Sequence, residues 1–405
     1  MEILPILYSL QRNKIGALLI GLQIALTLAI VCNSLSIIQQ HEQQMRRPSG
    51  IDEADIFTFD NQWVGRPADV GARVREDLAA IRSTPGVIDA QATNSFPLRI
   101  GGWSSSLFLT AAQKFPTAHT ALYFVDAHGL ATYGMRLLAG RWFNADEISD
   151  LQLHDDGVPA TMIVTADLAH ALFPTGSALG REVYLLPRGP TRIIGIVERA
   201  QTPWPATSWG ESFVEKSSFL PYQFVNNGLN YVVRVRPGQL PAAMQAVQDR
   251  LYGLTRQRVI DSVRTFPETR RRAYALTRST SVLLTTVCAV LLAVTVFGIV
   301  GLTMYWVAQR RRQIGMRRAL GARRIDILRY FHTENLLIAG SGAALGIVLG
   351  LGANLWLASQ LELGRMSVAY ICAAAAIVLV VSQAAVFWPA LRAASISPAI
   401  ATRGL

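Results

Sequence analysis

Four long apolar segments constrain the fold more than any other feature of the sequence. They run from Ile15 to Ile38, from Ser281 to Ala308, from Leu336 to Gln360 and from Met366 to Leu391, and none contains Asp, Glu, Lys or Arg. Each exceeds the ~20 residues that a helix needs to cross a hydrocarbon core. Because only a helix satisfies its own backbone hydrogen bonds in lipid, each segment is predicted to be a transmembrane helix. Four helices buried in a soluble core are disfavoured, since soluble helices seldom run this far without a charge.

The basic charge of the chain lies mostly in three short segments outside these spans. The formal net charge is +11, a value that in a soluble protein would suggest nucleic-acid binding. Residues 1–14 carry +1, residues 309–335 carry eight arginines against two acidic residues, and residues 392–405 carry +2. Four crossings place these segments on one side, which the positive-inside rule makes the cytoplasm. We therefore expect cytoplasmic termini, contact with anionic membrane lipid and no nucleic-acid partner.

The first span is interpreted as an uncleaved anchor, not a signal peptide. Its apolar run is longer than the usual ~7–15 residues, and no A-x-A pattern closes it. The preceding residues 1–14 are predicted to form a cytoplasmic interfacial helix, with a frayed terminus as the alternative. Cys32, Cys288 and Cys372 all fall inside spans, so no disulfide is expected in the exported part.

Residues 39–280, between the first two spans, are predicted to be an exported domain. At its ends, Gln39–Arg47 and Pro267–Arg278 have the composition of helices and would form a two-helix stalk. Strand-like patterns occur at Ile56–Phe59, Val87–Ala92, Ser106–Thr110, Ala121–Val125, Ala160–Val164, Arg192–Val197 and Tyr231–Val235. Helical patterns occur at Gly71–Ser83, His128–Gly134, Ala166–Leu172 and Leu240–Tyr252. This intermixing predicts an α+β domain, in one lobe or two.

No arrangement of residues typical of catalysis is present in the sequence. None of the three lysines, Lys14, Lys114 and Lys216, follows a glycine, so the chain has no phosphate-binding loop of the ATPase type. The run His154-Asp155-Asp156 could hold a metal, but a solvated loop is the favoured interpretation. We therefore expect no enzymatic activity and no metal or cofactor bound by this chain.

The most basic segment of the chain is RRRQIGMRRALGARR, residues 310–324, which holds seven arginines and no acid. Arg310–Leu320 is predicted to continue the second span as a helix, and Gly321 to permit a turn. A short helix would then restart over Arg323–Phe331, with Ile325, Leu328 and Phe331 on one face. Such a basic, apolar-faced helix suits either a membrane surface or a groove in a soluble partner, and the residues alone leave both open.

The continuation of this segment, QIGMRRALGARRIDILRYFHTENLLIAGSGAALGIVLG, closely resembles the signature of the FtsX-like permease family, whose usual form begins EIGIRRALGA. Gln313 stands where that family usually carries Glu, which would reduce an ionic contact to a hydrogen bond. The resemblance implies that Met316–Ile327 is a coupling helix seated on an ATPase, and arginines meeting acidic residues would set its register. The implied coupling residues are Gln313, Met316, Arg317, Arg318, Ala319, Leu320, Gly321, Ala322, Arg323 and Arg324.

A second resemblance covers residues 39–280, which look like the periplasmic core domain of MacB-type transporters. It is carried by Pro85-Gly86-Val87, Phe96-Pro97, YGMRLLAGRWF at 133–143, LAHALFPTGSALGREV at 168–183 and RIIGIV at 192–197. The sequence PALRAASISPAIATR, residues 389–403, is similar to the C-terminal pattern of the same family. The implied fold is four transmembrane helices, over 15–38, 281–308, 336–360 and 366–391, with a mixed α/β domain over 39–280, a cytoplasmic coupling loop over 309–335, a short periplasmic loop over 361–365 and a cytoplasmic tail over 392–405.

This family supplies the membrane subunit of type VII ABC transporters. The resemblance therefore implies a stand-alone permease of the inner membrane without a fused ATPase, with ATP and Mg bound by a separate cytoplasmic ATPase dimer. A second permease copy, identical or paralogous, is expected, because one coupling loop cannot engage a two-headed ATPase symmetrically.

The favoured hypothesis for function is tripartite efflux of an antibiotic, peptide or similar compound, with a periplasmic adaptor and an outer-membrane channel. The alternative is a mechanotransmitting regulator of a cell-wall hydrolase or of a lipoprotein-handling complex. The MacB-like resemblance disfavours the cell-wall role. In the third span, Gly342, Gly346 and Gly350 recur at the spacing that lets two helix backbones approach closely in lipid. The sequence leaves open whether that face meets a span of the same chain or of a second copy.

Overall fold

A computed structural model describes residues 14–65, 69–152, 157–185, 189–361 and 367–395 of the chain. The chain divides into two compact units. The helical unit comprises residues up to Gln43 and from Arg278 onward, and the strand-rich unit comprises Gln44–Thr277. The interfacial helix predicted before Lys14, the His154-Asp155-Asp156 run, the loop after Leu361 and the tail beyond Ser395 lie outside the described residues.

Helices make up nearly all of the helical unit and flank the sheets of the other. The helices are α1 (Lys14–Arg46), α2 (Val70–Arg82), α3 (Gly129–Tyr133), α4 (Ala166–Leu172), α5 (Ser208–Glu211), α6 (Leu240–Leu254), α7 (Phe266–Ala273), α8 (Ala275–Gln309), α9 (Arg311–Ala319), α10 (Arg324–Leu361) and α11 (Val368–Ala394). Four of these segments, Lys14–Arg46, Ala275–Gln309, Arg324–Trp356 and Val368–Ala394, are long and apolar enough to cross a membrane. The predicted fold class, four spans and one mixed α/β domain, is confirmed.

Polar side chains inside the helical unit join its long helices in pairs. The hydroxyl oxygens of Thr27 on α1 and Thr295 on α8 lie 3.0 Å apart. Between α10 and α11, the amide of Asn335 donates to the carbonyl oxygen of Ser382 at 3.2 Å. Such interhelical hydrogen bonds fix register where lipid provides no hydrophobic force between helices.

Among the described residues, the strand-rich unit contains three sheets. The strands are β1 (Ile56–Trp63), β2 (Val87–Thr93), β3 (Trp103–Phe108), β4 (Ala118–Phe124), β5 (Leu137–Gly140), β6 (Ser149–Gln152), β7 (Thr161–Thr165), β8 (Glu182–Leu185), β9 (Pro190–Val197), β10 (Ser217–Leu220), β11 (Tyr222–Val225), β12 (Gly228–Val235) and β13 (Arg258–Thr265). One sheet has the antiparallel order β13-β1-β12-β2, a larger mixed one has the order β5-β9-β7-β10-β4-β3-β8, and β6 pairs with β11.

Helix α2 shows how the sequence places a helix against these sheets. Asp69 precedes the helix in an extended conformation, and its carboxylate accepts a hydrogen bond from the Ala72 amide at 2.8 Å. This is a typical N-cap. Val74, Leu78 and Ile81 then recur at helical spacing and are fully or almost fully buried, so one face of α2 joins the hydrophobic core.

A buried ion pair joins α2 to the edge strand β13. The guanidinium of Arg258 donates two hydrogen bonds of 2.8 Å to the carboxylate of Asp77, and both side chains are almost completely buried. The hydroxyl of Tyr231 also donates to Asp77 at 2.8 Å. Burial, together with the neighbouring Asp77 carboxylate, raises the pKa of Tyr231 well above its usual value. The phenol therefore stays neutral as a donor to this pair.

A basic hairpin between the second and third spans

The predicted coupling residues lie on a helical hairpin formed by α9 and the first turns of α10. The predicted turn at Gly321 is present, with a φ of +98° that suits glycine. The amide of Gly321 donates to the Arg318 carbonyl at 3.2 Å, and the amide of Ala322 donates to the Arg317 carbonyl at 3.0 Å. These two bonds form a Schellman motif, which ends α9 and reverses the chain.

Two details of the predicted hairpin are wrong. A one-residue break at Arg310 separates α8 from α9, so the second span and the hairpin do not form one unbroken helix. The helix that restarts after Gly321 is not short, because α10 runs for 38 residues from Arg324 into the third span. Residues 332–335 contain no helix breaker, and the polar side chains of Glu334 and Asn335 are buried with partners instead of ending the helix.

The buried face at the start of α10 also differs from the predicted one. Ile327 and Phe331 are buried, while Ile325, predicted to share the apolar face with Phe331, is 47% exposed. The reason is the position of α9, whose Ile314 belongs to the same hydrophobic cluster as Ile327 and Phe331. Ile325 is thereby left on the outer surface.

A groove of about 250 Å³ lies between the two arms of the hairpin. Gln313 and Arg317 line it from α9, and Asp326 and Tyr330 line it from α10. The Arg317 guanidinium stacks over the Tyr330 ring, 5.4 Å from its centroid. The Asp326 carboxylate accepts a hydrogen bond from the Arg323 amide at 2.9 Å, which caps the start of α10.

A buried ion pair closes the base of the hairpin. One guanidinium nitrogen of Arg310 lies 3.0 Å from each carboxylate oxygen of Glu334, whose side chain is 1% exposed. The same guanidinium lies 5.8 Å from the centroid of the Trp306 ring. From the sequence alone, Glu334 enters only as one of the two acidic residues in the charge of residues 309–335. Its position as a lone acid at the start of an apolar span was the signal that it needed a buried partner.

The outer surface of the hairpin combines apolar and basic side chains. Leu320 is 89% exposed, and Met316 and Ile325 are 50% and 47% exposed. Gln313, Arg317, Ala319, Gly321, Arg323 and Arg324 are also exposed, while Arg318 and Ala322 are half-buried. Exposed apolar side chains rimmed by charge are typical of a protein-docking surface. We define the hairpin surface as Met316, Leu320 and Ile325 together with the arginines that flank them, Arg317, Arg318, Arg323 and Arg324.

The glycine face of the third span packs against the first span of the same chain. A Cβ on Gly342 would lie 2.6 Å from the carbonyl oxygen of Gly21, and one on Gly346 would lie 2.8 Å from that of Ala25. One on Gly350 would meet nothing closer than 3.4 Å. The Asn33 side chain donates to the Gly350 carbonyl at 3.1 Å. Close backbone approach at Gly342 and Gly346 therefore joins α10 to α1.

Four candidate membrane spans, an α+β domain after the first and a basic hairpin after the second define a multi-pass membrane protein. Comparison with protein families agrees with this class. Residues 18–250 match the MacB-like periplasmic core domain, and residues 285–398 match the FtsX-like permease C-terminal region. The first match covers more than half of the chain, and the chain belongs to this family of ABC-transporter permeases.

Individual relatives are similar at a lower level. The macrolide export ATP-binding/permease protein MacB of Escherichia coli O6:K15:H31 (strain 536 / UPEC) is 26% identical over 353 residues, which are 85% of this chain and 51% of that protein. The MacB of Escherichia coli strain K12 gives the same values. The chain thus spans about half the length of the curated relatives it matches. The crystal structure of the periplasmic region of MacB from Actinobacillus actinomycetemcomitans is 17% identical, covers 54% of this chain and 94% of its own, and superposes with a TM-score of 0.34.

Proposed function

We propose that this chain is the membrane subunit of an ABC transporter and that its hairpin surface docks on an ATPase carried by a separate cytoplasmic chain. One observation carries the proposal: Leu320, at the tip of a basic hairpin, is 89% exposed. A large apolar side chain held this far out on a rigid turn suits insertion into a groove of a partner. The flanking arginines would add long-range attraction to an acidic rim of that groove.

In this proposal the hairpin transmits force as well as binding the ATPase. Helix α10 is continuous for 38 residues, or about 57 Å at the usual rise per residue. The Arg310–Glu334 pair fastens α9 to this helix at the base of the hairpin. Displacement of the tip would therefore move the third span as one body instead of bending a linker.

The wider assembly follows from the same assignment. In our proposal, the chain lies in the inner membrane with both termini and the hairpin in the cytoplasm and the strand-rich unit in the periplasm. ATP and Mg would be bound by the partner ATPase dimer, and a second permease copy would supply the second hairpin. The transporter would act in tripartite efflux of an antibiotic, peptide or similar compound, with a periplasmic adaptor and an outer-membrane channel.

Docking is tested by replacing Leu320 alone. Substitution of Gly321 would also strain the turn, because φ is +98° there. Leu320→Asp should remove the co-purifying ATPase from tagged protein expressed in its native host, because a charge replaces the apolar anchor. Phe115→Asp is the matched control, since Phe115 is 80% exposed in the strand-rich unit. It should retain the ATPase. Equal ATPase recovery with both variants would show that the hairpin surface is not the docking site.

The same purification separates efflux from the regulatory alternative. Mass spectrometry of the proteins recovered with the unmodified chain should identify an ABC ATPase and an adaptor. Recovery of an amidase or peptidase with the ATPase, and no adaptor, would instead favour control of a cell-wall hydrolase. Recovery of no ATPase at all would contradict both.

A further inference from the structure

A cavity in the strand-rich unit combines backbone strain with unpaired positive charge. Leu98, Ile100 and Ser262 have φ values of +69°, +67° and +56°, and they are the non-glycine residues with positive φ among those described. All three line one cavity of about 370 Å³. Left-handed backbone at a leucine and a β-branched isoleucine is strongly disfavoured. Strain of this kind persists where the surrounding structure holds it, and it is concentrated at functional sites.

Ser262 forms a β-bulge that redirects an arginine into the cavity. On β13, Asp261 pairs with Asp60 of β1, and Arg264 pairs with Thr58. Residues 262 and 263 of β13 thus lie opposite the single residue 59 of β1, so β13 has one extra residue there. Side chains alternate between the faces of a strand, and an extra residue reverses that alternation. The bulge therefore places Arg264 on the same face as Thr58 and Asp60, which also line the cavity.

The strained loop at 98–100 is held by hydrogen bonds to a neighbouring loop. The amide of Leu98 donates to the Thr202 carbonyl at 3.3 Å, and the amide of Ile100 donates to the Pro203 carbonyl at 2.9 Å. Phe96 and Leu98 are almost completely buried, and Ile100 is about half exposed. The loop therefore supplies an apolar surface to the cavity wall.

The charged groups of the cavity leave two guanidinium groups available. Arg99 donates to Asn230 and lies 3.4 Å from the Asp60 carboxylate. Arg264 and Arg272 also line the cavity, and neither has a hydrogen-bond acceptor or an ion-pair partner within the described part of the chain. The nearby Glu268 carboxylate accepts the Thr265 amide at 2.9 Å in a capping box. That bond is the largest cause of its lowered pKa, to which the charges of Arg271 and Arg264 also contribute. Glu268 therefore caps α7, and it forms no direct ion pair with Arg264 among the described residues.

We propose that this cavity binds a small organic anion, with its carboxylate or phosphate group on Arg264 and Arg272 and its apolar body on Phe96, Leu98 and Ile100. Guanidinium groups bind carboxylate and phosphate oxygens by paired, charge-assisted hydrogen bonds. The cavity volume is at the low end of the range for small-molecule sites. The site lies within the strand-rich unit and does not depend on the docking of an ATPase.

Isothermal titration calorimetry on the detergent-purified full chain tests the proposal with defined probes. Phenyl phosphate and benzoate present an anionic group and a ring, inorganic phosphate presents the charge alone, and benzyl alcohol presents the ring alone. At least one aromatic anion should bind at least about tenfold more tightly than inorganic phosphate or benzyl alcohol. Inorganic phosphate lacks the contacts of the ring, and benzyl alcohol lacks those of the anionic group.

Single variants locate the site. Arg264→Gln and Arg272→Gln should each weaken binding of the aromatic anion by about tenfold or more, as expected for the loss of one charge-assisted hydrogen bond. Arg250→Gln on α6, also exposed and outside the cavity, should leave binding unchanged. Thermal unfolding of each variant reports whether it folds, and Arg272→Gln, at the exposed end of α7, carries the test if Arg264→Gln does not fold.

Three results would overturn the proposal. They are no binding of either aromatic anion, unchanged binding in the folded Arg264 and Arg272 variants, and binding of inorganic phosphate or benzyl alcohol as tight as that of the aromatic anions. The last result would show that the charged and apolar parts of the cavity do not act together.

Discussion

Replacing Gly346 with alanine should destabilise the helical unit, and the structure gives the size of the effect. The new Cβ would lie 2.8 Å from the Ala25 carbonyl oxygen, 2.9 Å from the Leu28 Cβ and 3.0 Å from the Ala25 Cα. Two of these atoms belong to the backbone of α1, so no side-chain rotation can relieve the clash. The helices would have to separate by roughly half an ångström to restore ordinary contact distances. Overpacking of this kind costs about 1–3 kcal/mol.

Gly350→Ala is the matched control, because it adds the same methyl group one turn further along α10. There the nearest atom lies at 3.4 Å, an ordinary contact distance. The midpoint of thermal unfolding in detergent should fall for Gly346→Ala and stay unchanged or rise slightly for Gly350→Ala, because alanine is the better helix former where it fits. An equal fall for both variants would show that packing against α1 is not what glycine provides at this face.

Two further predictions concern the strand-rich unit. Asp77→Asn should lower the free energy of unfolding by about 3–5 kcal/mol in a denaturant titration, because Arg258 would remain buried without its counter-charge. Glu76→Gln next to it should change that free energy by less than about 1 kcal/mol, because its ion pair with Arg73 is exposed. Burial raises the pKa of Tyr274 from 10.0 to about 12, so the folded state favours the neutral phenol. The stability that Tyr274 contributes is therefore full below pH 10 and is lost as the pH rises from about 10 to about 12. Tyr274→Phe should make unfolding midpoints less dependent on pH in that window, and an identical dependence in both proteins would contradict the assignment.

Periodicity and length explain which elements of the fold could be predicted. Hydrophobic patterns that are visible in the sequence alone predict the four spans. They also predict strands with an apolar face, such as β9 in one sheet and β12 in another. Strands β5, β6, β8, β10 and β11 have four residues each, too few for a period to show. Strand β13, RVIDSVRT, carries charge at both ends and a bulge in its middle. Only Arg258 of its residues is buried, and that arginine is paired with Asp77, 181 residues earlier in the chain, so no local apolar pattern marks the strand.

The hairpin shows the same limit at the candidate site. Gly321 was predictable, because a glycine after a helical run is a local signal for a turn. The pairing of Arg310 with Glu334 was not, because eight arginines in the segment could have met that carboxylate. The sequence therefore indicated where the chain turns but not which arginine fastens the turn. Likewise, only the strand register shows that the bulge at Ser262 directs Arg264 into the cavity.

Continuity of α10 changes how the proposed coupling would work. A short coupling helix on a flexible connection could dock without moving the membrane part of the protein. Here the capped start of α10, the buried Glu334 and the close-packed Gly342 and Gly346 all lie on one unbroken helix. At Gly342 and Gly346 the backbone of α10 itself contacts α1, so α10 has no side chain there that could change rotamer and absorb a displacement. Motion imposed at Leu320 would therefore reach α1 with little loss, which is the property that transmission of force through a membrane subunit requires.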